Sequence, residues 1–221
     1  MAEVQRADHD LSVGCRFCFP PEPERIAYES PNFRVLMGLG PFVEGYALVI
    51  SRTHLSCCAE LDQRSVREFC EVVSLVRRAQ ENVFGASMAF EHGRSGACVP
   101  PGSGYDLCYH AHLHLVPASI DLAQAVRLDY DFNVLPSFTV LRRRYRNSPV
   151  PYIAFELPLG GIGFLSDPPL LPARYLRRKI ADVIGDKELD DWEIFPNYSR
   201  IHAGLAKISP EIKRLSREAG A

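Results

Sequence analysis

What this 221-residue chain lacks narrows its function before any motif is considered. Positive charge is not in surplus. The 25 lysines and arginines face 27 acidic residues, a net charge of −2, so no long phosphate backbone is matched and nucleic acid is excluded as the main partner. No stretch approaches the roughly 18 apolar residues of a membrane span. Residues 1–10 are polar and charged where a secretory leader needs an apolar core. A cytoplasmic protein with no membrane partner is expected. Repeats and low-complexity tracts are also missing. At 47 % hydrophobic residues the chain can nevertheless bury a core, so disorder is not the default. Its seven cysteines are odd in number, and in a reducing compartment they are thiols or metal ligands rather than a disulfide framework.

Residues 20–23 are rich in proline and serve as a connector ahead of a first strand over 25–30. Strands follow over 33–37 and 45–51, the second almost wholly apolar, as a central strand should be. Val66, Phe69, Cys70, Val73, Val76 and Val83 recur at helical spacing, with Asp62 as N-cap and Gly85 as terminator. A strand over 87–92, a glycine- and proline-rich loop, and a strand over 110–116 stopped by Pro117 complete residues 1–117. No polar linker separates residues 118–221, which read as an extension packed on the first domain. In it a short helix starts near Asp121, strands lie at 152–157 and 162–165, and a helix has Pro172 in its first turn and Gly185 at its end. The triplets Arg142-Arg143-Arg144 and Arg177-Arg178-Lys179 read as solvated faces.

The segment His110-Ala111-His112-Leu113-His114-Leu115-Val116 carries the chemistry. A strand's period of two puts the three imidazoles on one face, roughly 6–7 Å apart along the chain, and the apolar residues on the other. Titratable rings on a strand covered at its back form a candidate site. Two chemistries compete for it. His-x-His is good spacing for a catalytic zinc with an open position; alternatively one ring is a nucleophile and its neighbours orient it and stabilise charge on phosphate oxygens. Cys15-Arg16-Phe17-Cys18 has the spacing of a zinc-binding pair, or of a redox pair without the βαβ context one expects. His54 and one histidine of the trio could complete a closed Cys2His2 site.

In order, the C-x-x-C pair, Gly45-Tyr46-Ala47-Leu48-Val49-Ile50-Ser51-Arg52-Thr53-His54 and the triple-histidine strand resemble the zinc-containing branch of the histidine-triad family, over about residues 15–117. The resemblance implies an α+β fold, a largely antiparallel five-stranded sheet with a main helix, assembled as a homodimer, here with a mixed α/β extension. It implies one structural zinc per chain on Cys15, Cys18, His54 and His110, His112 as nucleophile on a phosphorus atom, and His114 donating to phosphate oxygens. The substrate class it implies is a small phosphorylated molecule, a nucleotide first among them, handled by a hydrolase or transferase. A non-nucleotide phosphorylated substrate and a zinc-stabilised nucleotide-binding module without turnover are the alternatives.

The pattern departs from the family at three places. Gly38 stands where relatives carry an acidic residue for the ribose hydroxyls. Glu91-His92-Gly93 replaces an Asn-Gly strand end, making Glu91 and His92 candidates for substrate binding, with a carboxylate satisfied by backbone or arginine an equal alternative for Glu91. The approach to the trio is a longer glycine-bearing segment in which Ser103 could donate to an anion.

Overall fold

The computed structural model describes residues 15–95, 109–168 and 171–219. Ser103, Cys98 and Cys108 lie outside them. Strand β1 (Ile26–Glu29), β2 (Phe33–Met37) and β3 (Ala47–Ser51) form an antiparallel meander. All five residues of β3 are buried, as its unbroken apolar run requires of a strand covered on both faces. Helix α1 (Gln63–Phe84) starts where Asp62 accepts the Ser65 N–H at 2.6 Å and ends at Gly85, whose φ of 85° strongly favours a residue without a side chain. Its buried face is Phe69, Val72, Val76 and Ala79. Cys70 is exposed, one helical step off that stripe.

β4 (Met88–Gly93) and β5 (His112–Val116) complete a five-strand core ordered β1-β2-β3-β5-β4. The sheet does not stop there. Helix α2 (Leu122–Arg127), capped by Asp121, leads to β6 (Asn133–Leu135), α3 (Phe138–Asn147), β7 (Tyr152–Glu156) and β8 (Ile162–Ser166). β7 pairs antiparallel with β4, giving one eight-stranded sheet with β7, β8 and β6 beyond β4. The five strands expected therefore become eight, because the extension hydrogen-bonds to what would otherwise be an exposed edge.

Two helices lie beyond β8. α4 (Tyr175–Ile184) begins later than Pro172 suggests: Arg174, its N-cap, is left-handed at φ 61° and forms a two-pronged ion pair with Asp191. α5 (Tyr198–Ala219) is the second long helix. One face of the sheet packs against α1 and α5 through Val35, Val49, Leu115, Val76, Ile208 and Ile212. The other packs against α2 and α4 through Leu36, Leu48, Ile50, Phe90, Leu122 and Leu176. The α2–α4 face is the one that carries the histidines.

α5 comes so close to the start of β3 that a Cβ on Gly204 would stand 2.4 Å from the Gly45 nitrogen. The neighbour is backbone and cannot swing aside, so Gly204→Ala should cost about 1–3 kcal/mol. Thermal unfolding of the purified variant checks this, and an unchanged melting temperature would show that α5 tolerates displacement.

Candidate active site and metal cluster

β3, β5 and β4 lie side by side, with Ile50 opposite His112, Leu48 opposite His114 and Phe90 opposite His114. Opposed residues share a face, so His112, His114, Phe90 and His92 project together while Leu113 and Leu115 enter the α1 side of the core. The His112 and His114 rings lie 4.8 Å apart, and His114 stacks on Phe90 at 4.2 Å with an interplanar angle of 5°. His92 meets His114 edge-on at 6.1 Å. Phe17, from the turn between the two cysteines, covers His112 at 4.7 Å.

His110 faces another set of partners. Cys15, Cys18, His54 and His110 bring one ligand atom each to within 4.8 Å of one another. Cys15 Sγ is 3.4 Å and Cys18 Sγ 3.6 Å from His110 Nδ1, and Cys18 Sγ is 3.2 Å from His54 Nδ1. A tetrahedral zinc with ordinary Zn–S and Zn–N bonds needs S···N separations of about 3.6 Å. The donor set fits that ion: two thiols and two imidazoles close a structural site. His110 Nε2 donates to the Ser51 carbonyl at 2.6 Å, which fixes the proton there and leaves Nδ1 as the ligand nitrogen.

The same logic assigns His112. Its Nδ1 is 2.6 Å from the His110 carbonyl, a group that can only accept, so the proton of the neutral ring sits on Nδ1 and the lone pair on Nε2. Among the described residues no hydrogen bond occupies that Nε2. Burial lowers the His112 pKa to about 4 and that of His92 to about 3, and holds His114 well below the usual value, so the rings are neutral near pH 7. His92 Nε2 accepts the Leu176 N–H at 3.1 Å from the start of α4.

Residues 20–120 match the model of the HIT domain. This segment is a HIT domain. The match takes in His54, the five strands and the histidine trio, while Cys15 and Cys18 precede it. No curated protein matches the chain. Among solved structures, the chain aligns with a hypothetical histidine triad nucleotide-binding protein from Sulfolobus tokodaii (24 % identity, 47 % of this chain and 68 % of that one, TM-score 0.37). A zinc-bound histidine triad family protein from Mycobacterium smegmatis aligns at 22 % identity over 49 % of this chain and 77 % of that one, TM-score 0.36. Yeast Ap4A phosphorylase in complex with AMP aligns at 14 % identity over 82 % of this chain and 79 % of that one, TM-score 0.41.

Two expectations are corrected by the geometry of the HIT domain and its extension. Glu91 is not beside the histidines. One residue along β4 from Phe90 and His92, it projects from the opposite face, 2 % exposed, accepting from the Cys58 N–H at 2.7 Å and the Tyr152 hydroxyl at 2.9 Å. Arg142 and Arg177 are buried at 6 % and 4 % exposure rather than solvated. Arg142 satisfies the carbonyls of Leu61 and Asp62 ahead of α1. Tyr46, Phe17, Ser51 and Arg177 contact the histidines or their partners and escaped residue-type reasoning. Tyr46 alone had a sequence signal, as a polar-tipped ring beside a central apolar strand.

Burial raises the Glu91 carboxyl to about 7 from an unperturbed 4.5. The folded state therefore holds the proton more tightly. The resulting stability is complete below about pH 4.5 and is lost as pH rises through about 7. Glu91→Gln should remove that dependence, so that the variant gains on the wild type between pH 5 and 8 by on the order of 3 kcal/mol at most. Urea denaturation of both proteins across this range measures the difference, and parallel curves would mean that Glu91 is ionised throughout.

Proposed function

We propose that the protein is a hydrolase or transferase of the histidine-triad type, acting on a small phosphorylated molecule, with a nucleotide phosphoanhydride, phosphoramidate or ester as the first candidate. The observation that carries this is the His112 ring, with Nδ1 bound by the His110 carbonyl and Nε2 uncommitted among the described residues. In this reading Nε2 attacks phosphorus, an N–P bond forms as the bond to the leaving group breaks, and the leaving group takes up a proton. Water or another acceptor then attacks phosphorus and releases a proton to solvent, balancing the one the leaving group drew from solvent, the N–P bond breaks, and the neutral ring returns. His114 stands beside the reacting ring as donor to phosphate oxygens, and His92, edge-on to His114, would be part of the substrate wall. Ser103 is retained as a candidate donor.

Cys15, Cys18, His54 and His110 would hold one structural zinc. Bound there, the ion would fix the His110 ring, and with it the main-chain carbonyl that orients His112. A cytoplasmic setting keeps both thiols reduced for this role. Residues 118–221 would act as an extension that widens the sheet and covers the histidine face. A homodimer would form away from the β4 edge, which β7 occupies.

One observation favours a non-nucleotide substrate as second reading. A Cβ on Gly38 would stand 2.1 Å from a Tyr46 ring carbon, so Tyr46 takes the room that an acidic side chain at position 38 would need. Intact-mass measurement after mixing the protein with an adenosine phosphoramidate or a dinucleoside polyphosphate tests the main reading. A phospho- or nucleotidyl-adduct on wild type and none on His112→Ala supports it. Product formation at equal rates by both proteins would overturn the nucleophile assignment.

A further inference from the structure

Helix α4 reaches the histidine face from outside the HIT domain and brings a cation with it. Arg177 donates from Nη1 to the Tyr46 hydroxyl at 3.2 Å, and that hydroxyl lies 2.5 Å from His114 Nδ1. Its Nη2 donates to the carbonyls of Gly40 and Leu189, each at 2.7 Å, and the guanidinium lies over the Phe42 ring at 4.4 Å. The neighbouring Arg174 and Arg178 are ion-paired with Asp191 and Asp190. Among the described residues no carboxylate pairs with Arg177, and its buried Nε has no hydrogen-bond partner. Burying a cation without a counter-charge is costly; Arg142 meets that cost with main-chain carbonyls alone, whereas Arg177 also donates to a hydroxyl that meets a histidine of the trio.

We propose that Arg177 is a positioning residue for His114, acting through the Tyr46 hydroxyl. An arginine only donates. It therefore engages a lone pair of the Tyr46 oxygen, makes that oxygen a poorer acceptor toward a second donor, and polarises its O–H toward His114 Nδ1. His114 then keeps its ring proton on Nε2, the nitrogen across the ring from Tyr46. Stacking on Phe90 fixes the plane of the ring. The two catalytic rings thus acquire complementary roles from different partners: the His110 carbonyl leaves a lone pair on His112 Nε2, while Arg177 and Tyr46 leave an N–H on His114 Nε2. The seat of Tyr46 depends on Gly38, whose missing side chain makes room for its ring.

The role assigned to His114 rests on the phosphoryl-transfer reading above, but the state of its ring can be measured without turnover. Two-bond ¹H–¹⁵N correlation spectra of the full chain report each histidine tautomer. The expected result is His114 neutral with its proton on Nε2 in the wild type, mixed tautomers in Tyr46→Phe and Arg177→Met, and the wild-type state largely restored in Arg177→Lys. In an assay with a phosphoramidate substrate, Tyr46→Phe should lower kcat roughly 10- to 100-fold with little change in KM. A wild-type His114 carrying its proton on Nδ1 would overturn the proposal, as would a tautomer unchanged in either Tyr46→Phe or Arg177→Met. Tyr46→Phe removes a single hydroxyl and keeps the ring, so it decides the Tyr46–His114 step. Where Arg177→Met does not fold, Arg177→Gln, which keeps an N–H donor without the charge, decides the step from the arginine, with mixed tautomers expected and an unchanged tautomer overturning the proposal. If the spectra behave as stated and no substrate is turned over, the relay stands and the phosphoryl-transfer reading fails.

Discussion

His112→Ala should abolish covalent adduct formation and lower turnover of a phosphoramidate or dinucleoside polyphosphate by on the order of 10³-fold or more, while leaving the melting temperature within a few degrees of wild type. The size follows from the role proposed for His112: losing the attacking atom would return the reaction to direct attack by water, with only the neighbouring donors left to stabilise charge. The modest effect on stability follows from the surroundings. His112 keeps 7 % of its surface exposed, and its one hydrogen bond among the described residues goes to the carbonyl two residues before it in the chain, so alanine strands no distant buried group. Initial rates and intact-mass spectra, taken on protein whose circular dichroism matches wild type, make the comparison. A decrease of less than tenfold would indicate that the ring assists the reaction without bonding to phosphorus.

Removing one thiol of the proposed zinc site should act on both fold and chemistry. Cys18→Ala takes away the thiol that lies within 3.6 Å of both His54 and His110. Structural zinc contributes on the order of 10 kcal/mol in small domains that depend on it. Here two apolar layers carry part of that load, so a loss of about 3–5 kcal/mol is expected, or roughly 10 °C in melting temperature. Metal content should fall from one zinc per chain to none. Because the His110 carbonyl orients His112, catalytic rate should fall as well, and the fall should persist at temperatures where the variant is still folded. Metal analysis, calorimetry and rates on the same preparation separate the effects. A variant that retains one zinc per chain with full affinity would remove Cys18 from the ligand set, and one that loses zinc with an unaltered rate would uncouple the cluster from the trio.

Local patterns carried a large part of the fold and of the site. Alternation along β5 is a property of the strand itself, so the apolar backing of the histidines by Ala111, Leu113 and Leu115 could be read from seven consecutive residues. Asp62 and Gly85 bound α1 because caps act within one turn. α5 is poorly legible in the sequence because Pro210 in its middle argues against a continuous helix, although Ile201, Ile208, Ile212 and Leu215 keep one face buried. α3 was hidden by its arginines, since only Leu141, Arg142 and Tyr145 are buried in it.

What the sequence determined alone is therefore the strand of alternating histidines, the cysteine pair, the capped helix and the likeness that joins them, all set by short-range geometry and residue chemistry. Only the tertiary structure decided that four ligand atoms separated by up to 95 positions converge, that Glu91 faces away from the histidines, that β7 closes the β4 edge, and that one arginine of a charged triplet is buried behind Tyr46. These depend on which strand lies beside which and on which helix covers which face. Such pairings are selected by the summed burial of the whole chain, and no single segment encodes them.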